Sequence, residues 1–144
     1  MTAATAFASE LDAFGARVFA EGAELVREVA LETLRGVVFG TPVGQPRLWK
    51  SKAPKGYVGG YHRAQWQVSS GEPAEGHVAL RDPSEVLSAG ESAAEAIELG
   101  TTAWITNNGP AIARLEFAGH SSQARDGWVR AVVERIRTKY ALRD

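Results

Sequence analysis

Basic and aromatic residues alternate in one acid-free stretch of the sequence, from Gln45 to Arg63. Lys and Arg side chains bind phosphate groups and aromatic rings stack on nucleobases, so this composition is compatible with contact to a nucleic acid. The same charges can instead pair with an acidic surface on another copy of the chain or be solvated. Of these three alternatives we expect inter-subunit pairing. The residues concerned are Arg47, Lys50, Lys52, Lys55 and Arg63, interleaved with Trp49, Tyr57 and Tyr61.

An acidic counterpart lies further along the sequence, between Asp82 and Glu98. It holds five carboxylates, and the nearest basic residue, Arg81, lies just outside it. When a basic loop on one copy meets an acidic face on the next copy, the contact is head-to-tail, which is the arrangement that closes rings. The acidic residues that we expect at such an interface are Glu91, Glu95 and Glu98.

Two adjacent asparagines and a glutamate form the most distinctive part of the sequence. Asn107 and Asn108 favour turns, since an Asn side chain can bond a backbone group two residues further on. Glu116 is flanked by apolar residues, and we expect its carboxylate to be partly buried. A buried carboxylate needs a partner, for which the sequence offers Arg63 or Arg130. We expect all three polar residues to contribute to an interface.

Signatures of catalysis, cofactor binding and metal binding are missing from the sequence. The chain has no cysteine, and its three histidines have no His or Cys partner three or four residues away. The glycine-rich stretch 56–60 lacks the spacing of a phosphate-binding loop, and no G-x-S-x-G motif occurs. We therefore predict no catalytic residue, no cofactor, no metal ion and no enzymatic activity.

The composition is that of an ordinary globular domain. At 144 residues the chain is long enough for one domain, and we predict a single unit over 1–144 with an extended loop at about 41–60. The net charge of -1 excludes a strongly basic nucleic-acid binder, although not a local basic patch. The first residues lack a basic targeting region, and no uncharged run resembles a membrane-spanning helix. These features predict a protein that stays in the cytoplasm and has no membrane partner.

The first 39 residues predict one long helix, because apolar residues recur at spacings of three and four. We expect Ser9 and Asp12 to form a capping pair near its start, and Gly40 with Pro42 to end it. Gly22 lies on the apolar stripe and favours close approach of another element. The N-terminal half is expected to protrude or to meet a neighbouring subunit.

The rest of the sequence predicts a small antiparallel sheet and further helices. A final helix is expected to be capped by Ser121 or Ser122, and to carry Trp128 and Ile136 on one apolar stripe. The fold class is therefore α+β, with a small antiparallel β-sheet flanked by a long N-terminal helix and a C-terminal helix. The other predicted elements are strands at 61–69, 77–80 and 102–106, and helices at 91–99 and 110–117.

Two blocks of residues resemble the tail-completion family of long-tailed bacteriophages, also described as minor tail or neck proteins. The first block is Thr41-Pro42-Val43-Gly44, followed after an insertion by Arg63-Ala64-Gln65-Trp66. The second block runs from Trp104-Ile105-Thr106-Asn107-Asn108 through Pro110 and Leu115-Glu116 to Gly119, Ser121, Gln123-Ala124 and Gly127. Ala111 stands where the family usually has Tyr, Ala118 lengthens the gap before Gly119, and Arg125 replaces a Pro.

The resemblance implies a structural protein of the virion neck, at the junction of head and tail. Such a protein would complete or cap the tail as a ring, expected to hold six copies, so that the tail joins the head. Its partners would be its own copies, tail tube or terminator proteins and head–tail connector proteins, with possible contact to DNA in the lumen. It would reside in the host cytoplasm during assembly. The alternative function is a nucleic-acid-contacting module that uses the basic loop at 47–63.

Overall fold

The computed structural model describes residues 2–141 and has the predicted α+β fold. The described residues form five α-helices and a two-stranded antiparallel sheet. Two 3-10 turns, Pro46–Leu48 and Ser122–Ala124, complete the described elements. The helices are α1 (Ala3–Gly40), α2 (Tyr61–Ala64), α3 (Pro83–Ala94), α4 (Ile112–Phe117) and α5 (Val129–Ala141), and the strands are β1 (Trp66–Ser70) and β2 (Ala103–Asn107).

Helix α1 confirms the prediction of one long helix that ends at Gly40. The predicted capping pair is wrong, because the Thr2 hydroxyl caps the helix seven residues earlier by accepting from the Thr5 amide at 3.2 Å. Only the C-terminal half of α1 enters the core, where Leu34, Val37 and Val38 are fully buried. Along residues 3–20 nearly every side chain is exposed. The helix therefore has a packed half and a projecting half.

The sheet pairs β1 with β2, in the register Trp66↔Asn107 to Ser70↔Ala103. Two predictions are wrong here. Tyr61–Ala64 is a helical turn rather than the beginning of a strand, and residues 77–80 form no strand. The Gln65 side chain takes the place of a strand partner, because its amide group bonds both the carbonyl (2.7 Å) and the amide (2.8 Å) of Val78.

Helix α3 begins eight residues before the predicted start at Glu91 and ends before Leu99. Asp82 and Glu85 form a reciprocal capping box at its start, which fixes the first turn. At its far end, the Arg27 guanidinium donates to the carbonyls of Ala94 and Ile97 at 3.1 Å and 2.9–3.1 Å. An arginine of α1 thus neutralises the carbonyl end of α3.

Helix α5 closes the core against the C-terminal half of α1. Trp128, Val132 and Ile136 are buried on one stripe, as predicted, and the Trp128 indole donates to the Val37 carbonyl at 2.9 Å. Ser121 caps the short 3-10 turn before α5 rather than α5 itself. In the range 2–141, every helix is too short or too polar to cross a membrane.

Candidate functional site

Glu116 caps helix α5 from outside that helix. Its carboxylate accepts hydrogen bonds from the backbone amides of Trp128 (2.7 Å), Val129 (2.9 Å) and Arg130 (3.0 Å). These are amides of the first turn, which have no partner within a helix. The carboxylate is buried and also accepts from Arg130 Nε at 2.9 Å, so the predicted ion pair is formed with Arg130 and not with Arg63.

The electrostatics of Glu116 follow from this geometry. Burial by itself would raise the pKa of the Glu116 carboxyl. The amides of Arg130, Trp128 and Val129 and the Arg130 side chain together outweigh burial, and the pKa lies below its ordinary value. Glu116 therefore remains ionised, and its charge stabilises the positive end of the α5 dipole.

Gly127 makes room for this carboxylate. A β-carbon there would lie 2.4 Å from the Glu116 carbonyl oxygen and 2.5 Å from its Oε2. The residue also has a φ of +78°, a conformation that side chains other than glycine's disfavour. Both conditions exclude any larger residue without a shift of the backbone.

Polar contacts join the two blocks of residues noted in the sequence. The Gln123 side chain accepts from the Val43 amide at 3.2 Å and donates to the Val43 carbonyl at 2.8 Å. The indole of Trp66 donates to the Thr41 hydroxyl at 2.8 Å, which in turn donates to the Val37 carbonyl at 2.6 Å. We call this assembly of residues 41–43, 63–66 and 116–130 the junction.

Arg63 belongs to the junction and not to the exposed part of the basic stretch. It is half-buried, and its guanidinium donates to the carbonyls of Phe39 (3.4 Å) and Thr41 (3.2 Å) at the end of α1. This contact satisfies carbonyls that the end of a helix leaves without partners. The other four basic residues of the stretch, Arg47, Lys50, Lys52 and Lys55, are exposed.

The two asparagines hold neighbouring loops together. Asn107 Oδ1 accepts from the Gly109 amide at 2.9 Å, which is the predicted turn, and its Nδ2 donates to the His62 carbonyl at 2.7 Å. Asn108 Nδ2 donates to the carbonyls of Ala74 and Gly76 at 2.9 and 3.0 Å. Both are half-buried, so they act within this fold as loop anchors.

A groove of about 670 Å³ lies between the loop after α1 and the segment 111–123. Trp49 and Tyr57 form one wall, with their rings edge to face and 4.8 Å between centroids. His62, His120 and Lys50 also line the groove. Among the described lining residues none is Asp or Glu, so the groove suits an apolar or negatively charged segment.

His62 faces this groove in its neutral form. Its Nε2 accepts a hydrogen bond from the Ala111 amide at 3.1 Å, which requires that nitrogen to be unprotonated. Burial lowers the pKa of His62, which agrees with that role. The ring therefore supports the wall of the groove rather than adding positive charge.

The acidic residues Glu91, Glu95 and Glu98, which we call the acidic face, are all exposed. Glu95 and Glu98 lie near the middle of α1, because Leu99 packs on Gly22 and Arg27 reaches the Ala94 and Ile97 carbonyls. Glu91 follows Gly90, which packs on Leu34 of α1. The groove and the exposed basic residues follow Gly40, whereas Arg27, which donates to the Glu95 carbonyl, lies roughly 20 Å earlier along the helix. Gly22 thus permits the close approach that the sequence predicted, since a β-carbon would lie 3.0 Å from both Leu99 methyl carbons.

The ion pairs found within residues 2–141 do not involve these two regions. Within residues 2–141, pairs join Arg130 to Glu116, Arg137 to Glu134 and Lys139 to Glu32, and none joins the basic stretch to the acidic face. Over the same residues, no three His, Asp or Glu side chains lie close enough to hold a metal ion.

Sequence reasoning missed Gln123 and Thr41 as structural residues of the junction. The contacts that tie them into the junction are distant in sequence: Gln123 bonds a residue 80 positions away, and Thr41 accepts from a residue 25 positions away. The one signal available was their membership of the two blocks. Comparison with known proteins adds no further assignment, since no family model, curated protein or solved structure matches the chain.

Proposed function

We propose that this protein is a structural component of the neck of a long-tailed bacteriophage, which completes the tail as a ring so that it joins the head. The observation that carries the proposal is that two complementary charged regions are both exposed on one folded body and form no ion pair with each other within residues 2–141. The resemblance of the two sequence blocks supplies the biological setting. The protein would be found in the virion, and in the host cytoplasm during assembly.

The ring contact would join the groove of one copy to the acidic face of the next. The groove side offers Lys50, Lys52 and Lys55 around an aromatic wall, and the opposite side offers three glutamates beside the partly exposed Leu99. Because the two regions form no ion pair within residues 2–141, each copy can offer its groove to one neighbour and its acidic face to another. Such a heterologous contact generates a ring when its rotation closes, and six copies is our expectation.

In this proposal, the junction formed by residues 41–43, 63–66 and 116–130 makes the protein rigid and performs no chemical reaction. The residues through which the resemblance runs bond backbone groups, fill the core or permit tight turns, as Gln123, Ala124 and Gly127 do. These roles support a non-enzymatic protein without a cofactor. Further axial partners in this proposal are tail tube or terminator proteins and head–tail connector proteins.

A charge exchange tests the ring contact. Reversal of Lys50, Lys52 and Lys55 to Glu should leave heads and tails unjoined in a phage that depends on the variant, as seen by electron microscopy. Combining this change with reversal of Glu91, Glu95 and Glu98 to Lys should restore joined particles, because complementarity returns. A matched control is Glu72→Lys with Glu75→Lys, which changes exposed charges outside both regions. Normal joining by the first variant would refute the proposed contact.

A second candidate function is contact with nucleic acid, favoured by the exposure of Arg47 and the three lysines beside Trp49 and Tyr57. DNA in the lumen of a ring could meet the same side chains. Here the lysine reversal should abolish salt-dependent DNA binding, and reversal of the acidic face should not restore it. Recovery of joined particles by the variant with both charge reversals therefore distinguishes pairing between protein copies from contact with DNA.

A further inference from the structure

The projecting half of α1 carries an apolar stripe that is exposed within residues 2–141 and continues to Leu25. Phe7, Leu11, Phe14, Val18 and Leu25 are exposed, by 40% to 66%. At 100° per residue they fall within an arc of about 60°, roughly 170° away from the face that Leu34 and Val38 bury. The fold therefore places this stripe on the side of the helix that faces away from its own core.

The stripe has the spacing of a coiled-coil seam. Leu11, Val18 and Leu25 recur every seven residues. Phe7 and Phe14 are also seven residues apart, and each precedes the next member of that series by four residues, as a and d positions do. The projecting part, residues 3–20, is roughly 27 Å long. A helix of this length has little stability of its own in water without a packed apolar face.

Residues beside the stripe indicate that a second copy of this chain covers it. One edge carries Glu10, Arg17 and Glu24, and the other edge carries the small residues Ala8 and Gly15. If a second copy runs antiparallel, with Leu11 against Phe14, then Glu10 of each copy faces Arg17 of the other. The small residues of the opposite edge face one another and let the helices approach closely.

The parallel arrangement lacks these features. Glu21 occupies the next d position, so a parallel pair would place two Glu21 carboxylates in one layer of the seam. The charged edge would then face the small-residue edge, and no ion pair would form. In the antiparallel pair Glu21 faces Ala4, and the two folded bodies lie at opposite ends of the paired helices.

We propose that the N-terminal half of α1 is a self-association site, at which two copies pair as an antiparallel two-helix coiled coil through Phe7, Leu11, Phe14 and Val18. The contact is isologous, because the same stripe serves both copies. It is distinct from the heterologous ring contact and does not depend on the proposed neck function.

Sedimentation equilibrium of the full chain tests the pairing. The background carries Lys50→Glu, Lys52→Glu and Lys55→Glu, so that the proposed ring contact cannot contribute. The chain should form dimers, and Leu11→Asp should make it monomeric. Glu10→Arg or Arg17→Glu should each weaken dimerisation about tenfold, because two attractive pairs become repulsive.

Mixing and recombining the charge variants tests the orientation. An equimolar mixture of Glu10→Arg and Arg17→Glu chains should form heterodimers, and the double variant should recover wild-type affinity. Unfolding midpoints serve as the control, since both residues are exposed and should leave the folded body unchanged. A chain that stays monomeric at about 100 µM would overturn the proposal. A dimer whose affinity is the same in wild type and in the Glu10 and Arg17 variants would also overturn the proposal.

Discussion

Charge serves opposite purposes at the junction and in the basic stretch. At the junction one buried carboxylate, that of Glu116, has four donors within 3.0 Å. In the basic stretch Lys50, Lys52 and Lys55 are exposed and take part in none of the ion pairs found over residues 2–141. A buried charge whose hydrogen bonds are complete fixes a structure, whereas exposed charges contribute little to stability and remain available to a partner.

The largest effect that would test this comparison is expected for Glu116→Ala. The change leaves three amides of α5 and the Arg130 guanidinium without their acceptor, and we expect a loss of about 3–5 kcal/mol in the free energy of unfolding. Urea denaturation followed by circular dichroism measures it. Glu95→Ala is the matched control at an exposed glutamate and should change stability by less than about 0.5 kcal/mol. Equal effects of the two changes would contradict the comparison.

A somewhat smaller loss in the free energy of unfolding is expected for Gly127→Ala. Comparison with a control glycine separates the cost of backbone strain from the cost of the clash with Glu116. The added methyl group meets the carboxylate and the carbonyl of Glu116 and also strains a residue with positive φ, so we expect a loss of about 2–3 kcal/mol. Gly76→Ala is the control, because Gly76 has a φ of +76° and open space around its Cα. It should cost about 1 kcal/mol through strain alone. If Gly76→Ala destabilises the protein as much as Gly127→Ala does, the clash with Glu116 contributes nothing beyond backbone strain.

Acid should remove the stabilisation by Glu116 gradually. Its pKa is lowered on folding from an ordinary 4.5, so its contribution is complete above about that pH and is lost as the pH falls through the lower folded pKa. The stability difference between wild type and Glu116→Gln should therefore be constant from pH 7 to 5 and shrink below. Urea midpoints measured for both proteins down to pH 3 check this. A difference that stays constant at low pH would show that the charge is not the cause.

The smallest effect on stability is expected for reversal of Lys50, Lys52 and Lys55 to Glu. Since these side chains are exposed, the free energy of unfolding should change by less than about 0.5 kcal/mol. The unfolding midpoint at two salt concentrations measures the change and its electrostatic part. A large loss would mean that the basic stretch stabilises the fold itself, which would remove the contrast with Glu116.

Local patterns in the sequence predicted the elements that local interactions determine. The end of α1 at Gly40 and the turn at Asn107 follow from glycine, proline and asparagine chemistry and were predicted correctly. The start of α3 was predicted wrongly, although the Asp82–Glu85 capping box is visible in the sequence. The strand pairing could not be read from local periodicity, because β1 takes its partner from a segment about forty residues further on and Gln65 replaces the expected neighbour.

The candidate site shows the same difference between features that local sequence determines and features that long-range contacts determine. The sequence predicted a buried Glu116 with Arg130 as one possible partner, and that pair is present. The three backbone donors could not be predicted, since they depend on where α5 begins and how α4 approaches it. The groove likewise lies between two segments that are 80 positions apart in the sequence and that Gln123 and Val43 join. Its proposed role in a ring stays a prediction.

The packing of α5 on α1 also determines the order in which the chain can fold. Trp128 bonds Val37 across 91 positions, and Lys139 bonds Glu32 at 2.7 Å across 107. Since synthesis proceeds from the N-terminus, the part of the apolar face of α1 that α5 covers remains exposed until α5 has been made. The first hundred residues can pair α1 with α3, but the closing step of folding is a long-range search by α5. Chains interrupted before α5 would therefore expose the core and be prone to aggregate.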